Sequence, residues 1–188
     1  MIYPIVVYGD PVLNKEAEEI NKDYPGLPKL IDDMFETMYA AHGVGLAAPQ
    51  IGKSIRLFVV DGSPMEDEDL ADFKKVFINP EILEESEEEW KFEEGCLSIP
   101  GLREKVERPE EITLRYFDEN FKEHTETFNG LRARIIQHEY DHIEGILFTE
   151  HLSAFKKSLL RGKLNSIAKG EFEKNYPVKI YHTNKKRK

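Results

Sequence analysis

Three stretches of the chain carry apolar residues at the three-and-four spacing of an amphipathic helix. The first covers residues 25–42, and the second runs from Asn129, a suitable N-cap, to Gly145, a suitable C′ residue. The third covers about residues 152–168. Its apolar positions, expected on one buried side, are Phe155, Leu159, Leu160, Leu164 and Ile167. The pattern predicts an amino-terminal, a central and a carboxy-terminal helix.

The segments between these helices are short and rich in β-branched and aromatic residues, which favours strands. The candidate strands are residues 55–60, 75–79, 89–92, 112–117 and 122–128. A hairpin turn at 118–120 joins the last two, and the acidic stretch 61–72, which has no apolar period, is predicted to be a solvated loop. The predicted fold class is α+β, with antiparallel β-sheets packed around the central helix.

Length and cysteine content limit the possible architectures. With 188 residues, 40% of them hydrophobic, we expect one domain over residues 1–188, with about 170–188 as a tail of uncertain order. Cys96 is the only cysteine, which excludes an intramolecular disulfide and fits a reducing, cytoplasmic location. No apolar run approaches the roughly 20 residues of a membrane span.

The charge is unevenly distributed along the chain. Residues 152–188 hold eleven Lys and Arg against two Glu, a net charge of +9, and the whole chain carries −10, so residues 1–151 carry −19. This balance argues against a whole-surface attraction to nucleic acid or to an anionic membrane.

The sharpest chemical signal is an HExxH pattern, HEYDH at 138–142, inside the central predicted helix. Residues i and i+4 share a helix face about 6 Å apart, so His138 and His142 can approach one ion. Glu139 could then reach a water molecule on that ion. The same pattern also occurs by chance on exposed helices, so the motif alone leaves both interpretations open.

A catalytic metal needs a third protein ligand. The metzincin continuation HxxGxxH fails, because Phe148 stands where its third histidine would be. A downstream glutamate, as in gluzincins, stays open, with Glu150, Glu171 and Glu173 as candidates. The other candidate is Cys96, although a single cytosolic cysteine is more often a buried apolar filler.

A glycine-rich turn, GVGLAAPQ at 43–50, follows the first predicted helix. It lacks GxGxxG, and GxxxxGK[ST] occurs nowhere, so neither dinucleotide nor P-loop phosphate binding is supported. The turn could be a simple helix C-cap. It could equally admit a substrate backbone and present the amide of Gln50 to a developing oxyanion.

Taken in order, GVGLAAPQ (43–50), EGCLS (94–98) and QHEYDH (137–142) resemble the three signature motifs of the peptide deformylases. Residues 8–20 and 77–83 are also similar to the family pattern, so the resemblance covers residues 1 to about 150. The carboxy-terminal helix resembles that of the bacterial type.

The resemblance implies a metal-dependent hydrolase that removes the formyl group from the N-terminal formylmethionine of nascent polypeptides and releases formate. It implies that the metal ligands are Cys96, His138 and His142, with water in the fourth position. Glu139 would carry the proton from that water to the departing amine. The Gln50 side-chain amide and the Leu97 backbone N–H would hold the oxyanion together with the metal.

Selectivity for methionine requires an apolar slot beside the metal. Leu131 and Ile135 lie on the helix face of His138 and would supply this slot together with Val44 and Leu46, although Leu131 and Ile135 could be ordinary core. Arg134 stands where family members commonly carry an aliphatic residue, and its stem could line the slot while its head reaches solvent. The complete set of predicted substrate-binding residues is Gly43, Val44, Gly45, Leu46, Glu94, Gly95, Arg103, Leu131, Arg134 and Ile135.

A set of one Cys and two His suits several divalent ions, and the resemblance favours Fe²⁺ in the cell, with Zn²⁺, Ni²⁺ or Co²⁺ as replacements. The alternative functions are a zincin-type metallopeptidase and a non-catalytic, metal-stabilised peptide-binding module. Release of formate from a formylated peptide would distinguish a deformylase from both of these alternatives.

Two interpretations of the basic carboxy-terminal segment stay open. Lys156, Lys157, Arg161, Lys163 and the final NKKRK could form a solvated surface that lies against the acidic remainder of the chain. The resemblance suggests instead that they contact ribosomal RNA. The expected partners are therefore formylmethionyl nascent peptides and the ribosome, with no membrane and no sequence-specific nucleic-acid binding.

Overall fold

The computed structural model describes residues 1–182. Its helices are α1 (Leu27–Ala40), α2 (Gly130–Ile143) and α3 (Ala154–Ala168). Its strands are β1 (Ile5–Val6), β2 (Gly45–Ala47), β3 (Leu57–Asp61), β4 (Lys74–Glu85), β5 (Glu89–Cys96), β6 (Ile99–Pro109), β7 (Glu111–Phe117), β8 (Glu123–Asn129) and β9 (Val178–Lys179). Within the described residues, no helix has the length and apolar character needed to cross a membrane.

Three sheets arrange these strands. Five antiparallel strands form the largest sheet in the order β2-β3-β4-β7-β8. β5 and β6 form an antiparallel hairpin, in which Cys96 pairs with Ile99 across the two-residue turn Leu97–Ser98. β1 and β9 pair in parallel and bring the two ends of the described chain together.

The five-stranded sheet lies between α1 and α2, because side chains alternate along its central strands. On β3, Leu57 and Val59 pack in one hydrophobic cluster with α1, whereas Phe58 and Val60 pack in another with α2. All five residues of β3 are buried. The predicted α+β fold, with antiparallel sheets around the central HExxH helix, is confirmed.

Both predicted ends of α2 are close to the observed ones. Asn129 occupies the N-cap position, although its side chain makes no capping hydrogen bond. Gly145 follows the helix with φ of +76°, the left-handed conformation that glycine adopts without strain. A Cβ atom there would lie 2.8 Å from the carbonyl carbon of Asn14, so the close packing also excludes a side chain.

Two predictions about the surface are wrong. Residues 61–72 contain two short 3₁₀ turns, and Leu70 is fully buried there, so this stretch is not simply a solvated loop. On α3, Phe155 is 70% exposed and Leu159 is 63% exposed. Only Leu164 and Ile167 are buried on this helix, which therefore packs on the body of the protein through its second half.

The chain beyond α3 packs against the body of the protein. Gly170, with φ of +82°, follows α3, and β9 then pairs with β1. Val178 and Ile180 pack against the hydrophobic cluster that contains Val6 and Val7. Residues 170–182 of the predicted tail thus pack against the body, while NKKRK (184–188) lies outside the described residues.

Candidate active site

Two elements bring three potential metal ligands together. α2 presents His138 and His142 one turn apart, and Cys96 stands at the end of β5. The donor atoms of these three residues all lie within 4.8 Å of one another, and Cys96 Sγ is 3.3 Å from His142 Nε2. This convergence is what separates a metal site from two histidines that merely share a helix face.

The chemistry of the donors fits a divalent transition metal. Burial opposes ionisation of the Cys96 thiol, but the charge of His142 and hydrogen bonds with both histidines lower its pKa to about 5. The thiolate is the form that binds metals. His142 is 1% exposed, and its Nδ1 has no hydrogen-bond partner among the described residues.

The carboxylate of Glu94 fixes the orientation of the His138 ring. His138 Nδ1 lies 2.8 Å from Glu94 Oε1, so the other ring nitrogen is available to an ion. Burial alone would raise the pKa of Glu94, but hydrogen bonds with His138 and Arg108 hold this pKa well below its usual range. Glu94 is therefore ionised and acts as an acceptor.

A network of buried charges surrounds Glu94. Arg108 binds it through two bonds, Nε to Oε2 at 2.7 Å and Nη2 to Oε1 at 2.9 Å. The same arginine reaches Asp141 of the HExxH motif at 2.7 Å, and Asp141 also pairs with His151. The hairpin β5–β6 is thereby tied to α2 next to the candidate metal ligands.

The prediction that the head group of Arg134 reaches solvent is wrong. Arg134 is 3% exposed, and its guanidinium donates to Glu94 and to the carbonyl groups of Val106 and Trp90 at 2.6–2.8 Å. Two backbone carbonyls and a carboxylate surround the Arg134 guanidinium, so they replace water as the hydrogen-bond partners of this group. The residue borders the cleft but is bound to the protein itself.

Glu139 reaches the site from α2 and is 5% exposed. Burial raises the pKa of its carboxyl above the usual value, against the opposing charges of His138 and His142. Its Oε2 has no hydrogen-bond partner among the described residues. A buried carboxylate with an unused oxygen is suited to proton transfer.

Gln50 is held so that its amino group faces the candidate metal ligands. Its Oε1 accepts from the backbone N–H of Ala47 at 3.0 Å. Its Nε2 lies 3.2 Å from Ser98 Oγ and 3.7 Å from Cys96 Sγ. Because the oxygen is occupied, the donor end of the amide is the one directed at the cleft.

A cleft of about 760 Å³ opens beside these groups. The predicted residues on its wall are Gly43, Val44, Gly45, Gln50, Glu94, Gly95, Cys96, Leu97, Arg103, Arg134, Ile135, His138 and Glu139. The carboxylate of Glu94 is turned toward its arginine and histidine partners and holds His138, while its predicted contact with substrate stays a prediction.

Two residues expected in the methionine slot lie elsewhere. Leu46 is fully buried in the cluster with α1, because alternation along β2 turns it away from the side of Gly45. Leu131 is half-buried, packs against the cluster with α2 and does not border the cleft, so its position favours the core alternative that the helix spacing had left open.

Sequence reasoning missed several residues of the site. Arg108 carries no motif, and only its contacts reveal its role. Tyr176 and Phe172 line the cleft from beyond α3, and Met65 lines it from the acidic stretch. For Asp141, the signal was its position inside the HExxH motif.

An HExxH helix whose histidines converge with a cysteine, beside a buried carboxylate in an open cleft, defines a metal-dependent hydrolase. Comparison with known proteins agrees with this class of enzyme and also identifies the family. A sequence model described as polypeptide deformylase matches residues 2–158.

Individual relatives cover nearly the whole chain. Peptide deformylase of Christiangramia forsetii is 54% identical over 196 aligned positions and covers 100% of both chains. That of Cytophaga hutchinsonii is 57% identical over 180, covering 96% of this chain and 98% of its own. The crystal structure of a Legionella pneumophila peptide deformylase is similar with a TM-score of 0.80 and 41% identity, covering 93% of this chain and 99% of that chain.

The chain belongs to the polypeptide deformylase family. It is a hydrolase that removes the formyl group from the N-terminal formylmethionine of nascent polypeptides and releases formate. The family is metal-dependent, and neither a zincin-type metallopeptidase nor a non-catalytic peptide-binding module is favoured.

Gly45 offers a test of how closely the site is packed. A Cβ atom there would lie 2.5 Å from Glu139 Oε1, so Gly45→Ala must displace the carboxylate. We expect formate release from formyl-Met-Ala to fall about 10²-fold, as displacements near 1 Å can cause, with metal content retained. Gly162→Ala is the control, because a Cβ there meets open space. Full activity of Gly45→Ala would contradict the expectation.

Proposed function

We propose that the chain carries out deformylation at one divalent ion held by Cys96, His138 and His142. The observation that carries this proposal is the convergence of their three donor atoms beside the buried carboxylate of Glu139. When bound, such an ion lowers the pKa of its water and polarises a carbonyl. Glu150 is on the surface, which argues against it as a gluzincin-type ligand.

Proton transfer and stabilisation of the oxyanion are carried out by protein groups around the ion. Glu139 takes a proton from the attacking water and delivers it to the departing amine, and the raised pKa of its carboxyl suits both steps. The amino group of Gln50 and the backbone N–H of Leu97 stabilise the oxyanion. Each such donor typically lowers the activation barrier by about 2.7–4 kcal/mol.

The formylated peptide lies as an extended strand between two strand edges. Within the described residues, β2 pairs only with β3 and β5 only with β6, so one edge of each can accept main-chain hydrogen bonds. Gly43, Gly45 and Gly95 keep these edges clear. A Cβ at Gly95 would lie 2.7 Å from Arg103 Nη1, and one at Gly43 would lie 2.8 Å from Leu97 Cδ1.

The methionine side chain of the substrate packs against Val44 and Ile135, the two predicted apolar residues that border the cleft beside the HExxH helix. Arg103 is 60% exposed and stands at the entrance, where it contacts the peptide beyond the methionine.

Glu139→Gln should separate metal binding from catalysis. The amide cannot accept the proton, so we expect kcat to fall at least about 10²-fold while one equivalent of metal remains bound. The matched control is Glu150→Gln, an exposed carboxylate eleven positions further along the chain. Turnover by Glu139→Gln within tenfold of the parent would refute the assigned role, and metal loss in Glu150→Gln would revive the glutamate-ligand alternative.

We propose Fe²⁺ as the ion in the cell, with Zn²⁺, Ni²⁺ and Co²⁺ as replacements, since a Cys and two His accept all four. Protein purified without oxygen should contain iron by elemental analysis. In air its activity should decay through oxidation of the iron or of Cys96, and more slowly after reconstitution with nickel or cobalt. Equal lifetimes with every metal would argue against iron.

We also propose that α3 guides the enzyme to the ribosome in the cytoplasm, where formylated chains emerge. Lys157 and Arg161 are exposed on this helix, beside the exposed Phe155 and Leu159. Lys156 and Lys163 instead contact the protein's own Glu104 and the carbonyl of Gly101. Within α3, the exposed cations that make no such contact are Lys157 and Arg161, and Lys169 is exposed directly after the helix.

Charge reversal tests this docking. Lys157→Glu with Arg161→Glu should lower co-sedimentation with ribosomes and flatten its salt dependence, because fewer phosphate contacts release counterions. Turnover of formyl-Met-Ala should stay near the parent's. Lys15→Glu with Lys22→Glu makes the same charge change on another exposed surface and should have little effect. Equal, salt-insensitive co-sedimentation of all variants would contradict the proposal.

A further inference from the structure

Residues 170–182, here named the carboxy-terminal strap, lie beyond the part of the chain that matches the family model. The strap runs back across the molecule and is anchored at β9, where the N–H of Ile5 donates to the carbonyl of Pro177 at 2.9 Å. Phe172 and Ile180 pack on the hydrophobic cluster beneath it. It is held by the body at both ends.

Between these anchors the strap forms one wall of the cleft. Its residues on that wall are Glu171, Phe172, Glu173, Asn175 and Tyr176. The candidate catalytic groups come from β5, the turn that follows β5, α2 and the 3₁₀ turn after β2, so this wall is an independent addition to the site.

Tyr176 makes the one side-chain hydrogen bond from the strap to these elements among the described residues. Its phenol donates to the backbone carbonyl of Leu97 at 2.6 Å. Burial, followed by the charge of Cys96, raises the pKa of Tyr176 to about 12, so the phenol keeps its proton at neutral pH. The ring packs against the hydrophobic cluster of α1, which fixes the direction of the hydroxyl.

The carbonyl that Tyr176 holds belongs to the tight turn Leu97–Ser98. Ser98 has two anchors of its own, since its carbonyl accepts from the N–H of Tyr8 at 2.8 Å and its hydroxyl contacts Gln50 Nε2 at 3.2 Å. The contact from Tyr176 supplies the equivalent restraint on Leu97. The Leu97 carbonyl lies in the planar peptide unit that leads to Ser98, and only the φ and ψ torsions at the Leu97 Cα separate this unit from the one that carries the Leu97 N–H. Strand pairing of Cys96 with Ile99 holds the second unit, so a fixed Leu97 carbonyl restrains these two torsions and with them the direction of the N–H.

We propose that Tyr176 is a positioning residue, which aims the Leu97 N–H at the oxyanion by holding the Leu97 carbonyl from the strap. The inference rests on the proposed function, which assigns the oxyanion donor to Leu97. It adds a residue outside the three sequence motifs to the machinery of the reaction. Preorganised donors are effective only when their direction is fixed before the charge develops.

Tyr176→Phe removes the hydroxyl and keeps the ring. Using metal-loaded protein and formyl-Met-Ala, we expect kcat to fall about tenfold with KM changed less than about twofold, because the donor acts on the transition state. Tyr181→Phe is the matched control, since Tyr181 is an exposed tyrosine of the same strap that does not line the cleft. It should match the parent in both constants.

Hydrogen exchange of the same proteins provides a readout that does not depend on activity. In Tyr176→Phe, amide exchange should rise in peptides covering the Leu97–Ser98 turn and stay unchanged in α1 and β3. Faster turn exchange together with lower kcat supports the proposal.

Three results would overturn it: unchanged turn exchange, faster turn exchange with unchanged kcat, or faster exchange throughout the molecule. Failure of the proposed function is recognised separately, because Glu139→Gln would then keep turnover within tenfold of the parent whatever the exchange data show. In that case an unchanged turn in Tyr176→Phe still overturns the structural part of the inference.

Discussion

The carboxylate of Glu94 lies between the β5–β6 hairpin and α2, and it binds Arg108, Arg134 and His138 at once. A carboxylate buried in this way is costly unless it is fully paired, and removing one partner from a buried ion pair typically costs about 3–5 kcal/mol. The geometry of the hairpin, of α2 and of the His138 ring is therefore set by one group. Cys96 follows two residues after Glu94 on the same strand, so the position of the thiol depends on it as well.

This arrangement explains how donors from separate elements can form a rigid site. Two ligands on α2 share a helix face, and the third arrives on a strand that the charge network fastens to that helix. On the opposite side of the cleft, the glycine at position 45 lets β2 approach Glu139 so closely that no side chain would fit. The electrostatic network and the steric contact constrain the reacting groups from two directions.

Much of the fold was predictable because apolar residues recur along its helices and central strands with the period of each element. The HExxH helix, its N-cap position and its glycine end followed from local spacing. The third metal donor did not, because Cys96 and the histidines are 42 or more positions apart, and no local pattern records a distance between elements. Family motifs supplied that connection.

The predictions that failed also depended on contacts between elements that are distant in the sequence. Apolar spacing on α3 could not show that no surface covers Phe155 and Leu159, and a lone arginine at position 134 could not show which carbonyls surround it. β9 has only two residues and is defined by a partner at the other end of the chain. That pairing has a consequence for biosynthesis. Val178 follows its partner Ile5 by 173 positions, so the parallel ladder between them can close only after all of the elements between the two strands have been synthesised. The wall that the strap adds to the cleft therefore assembles later than the strands and the helix that carry the metal ligands and Glu139, and an enzyme that processes other chains during their synthesis completes its own cleft in two stages.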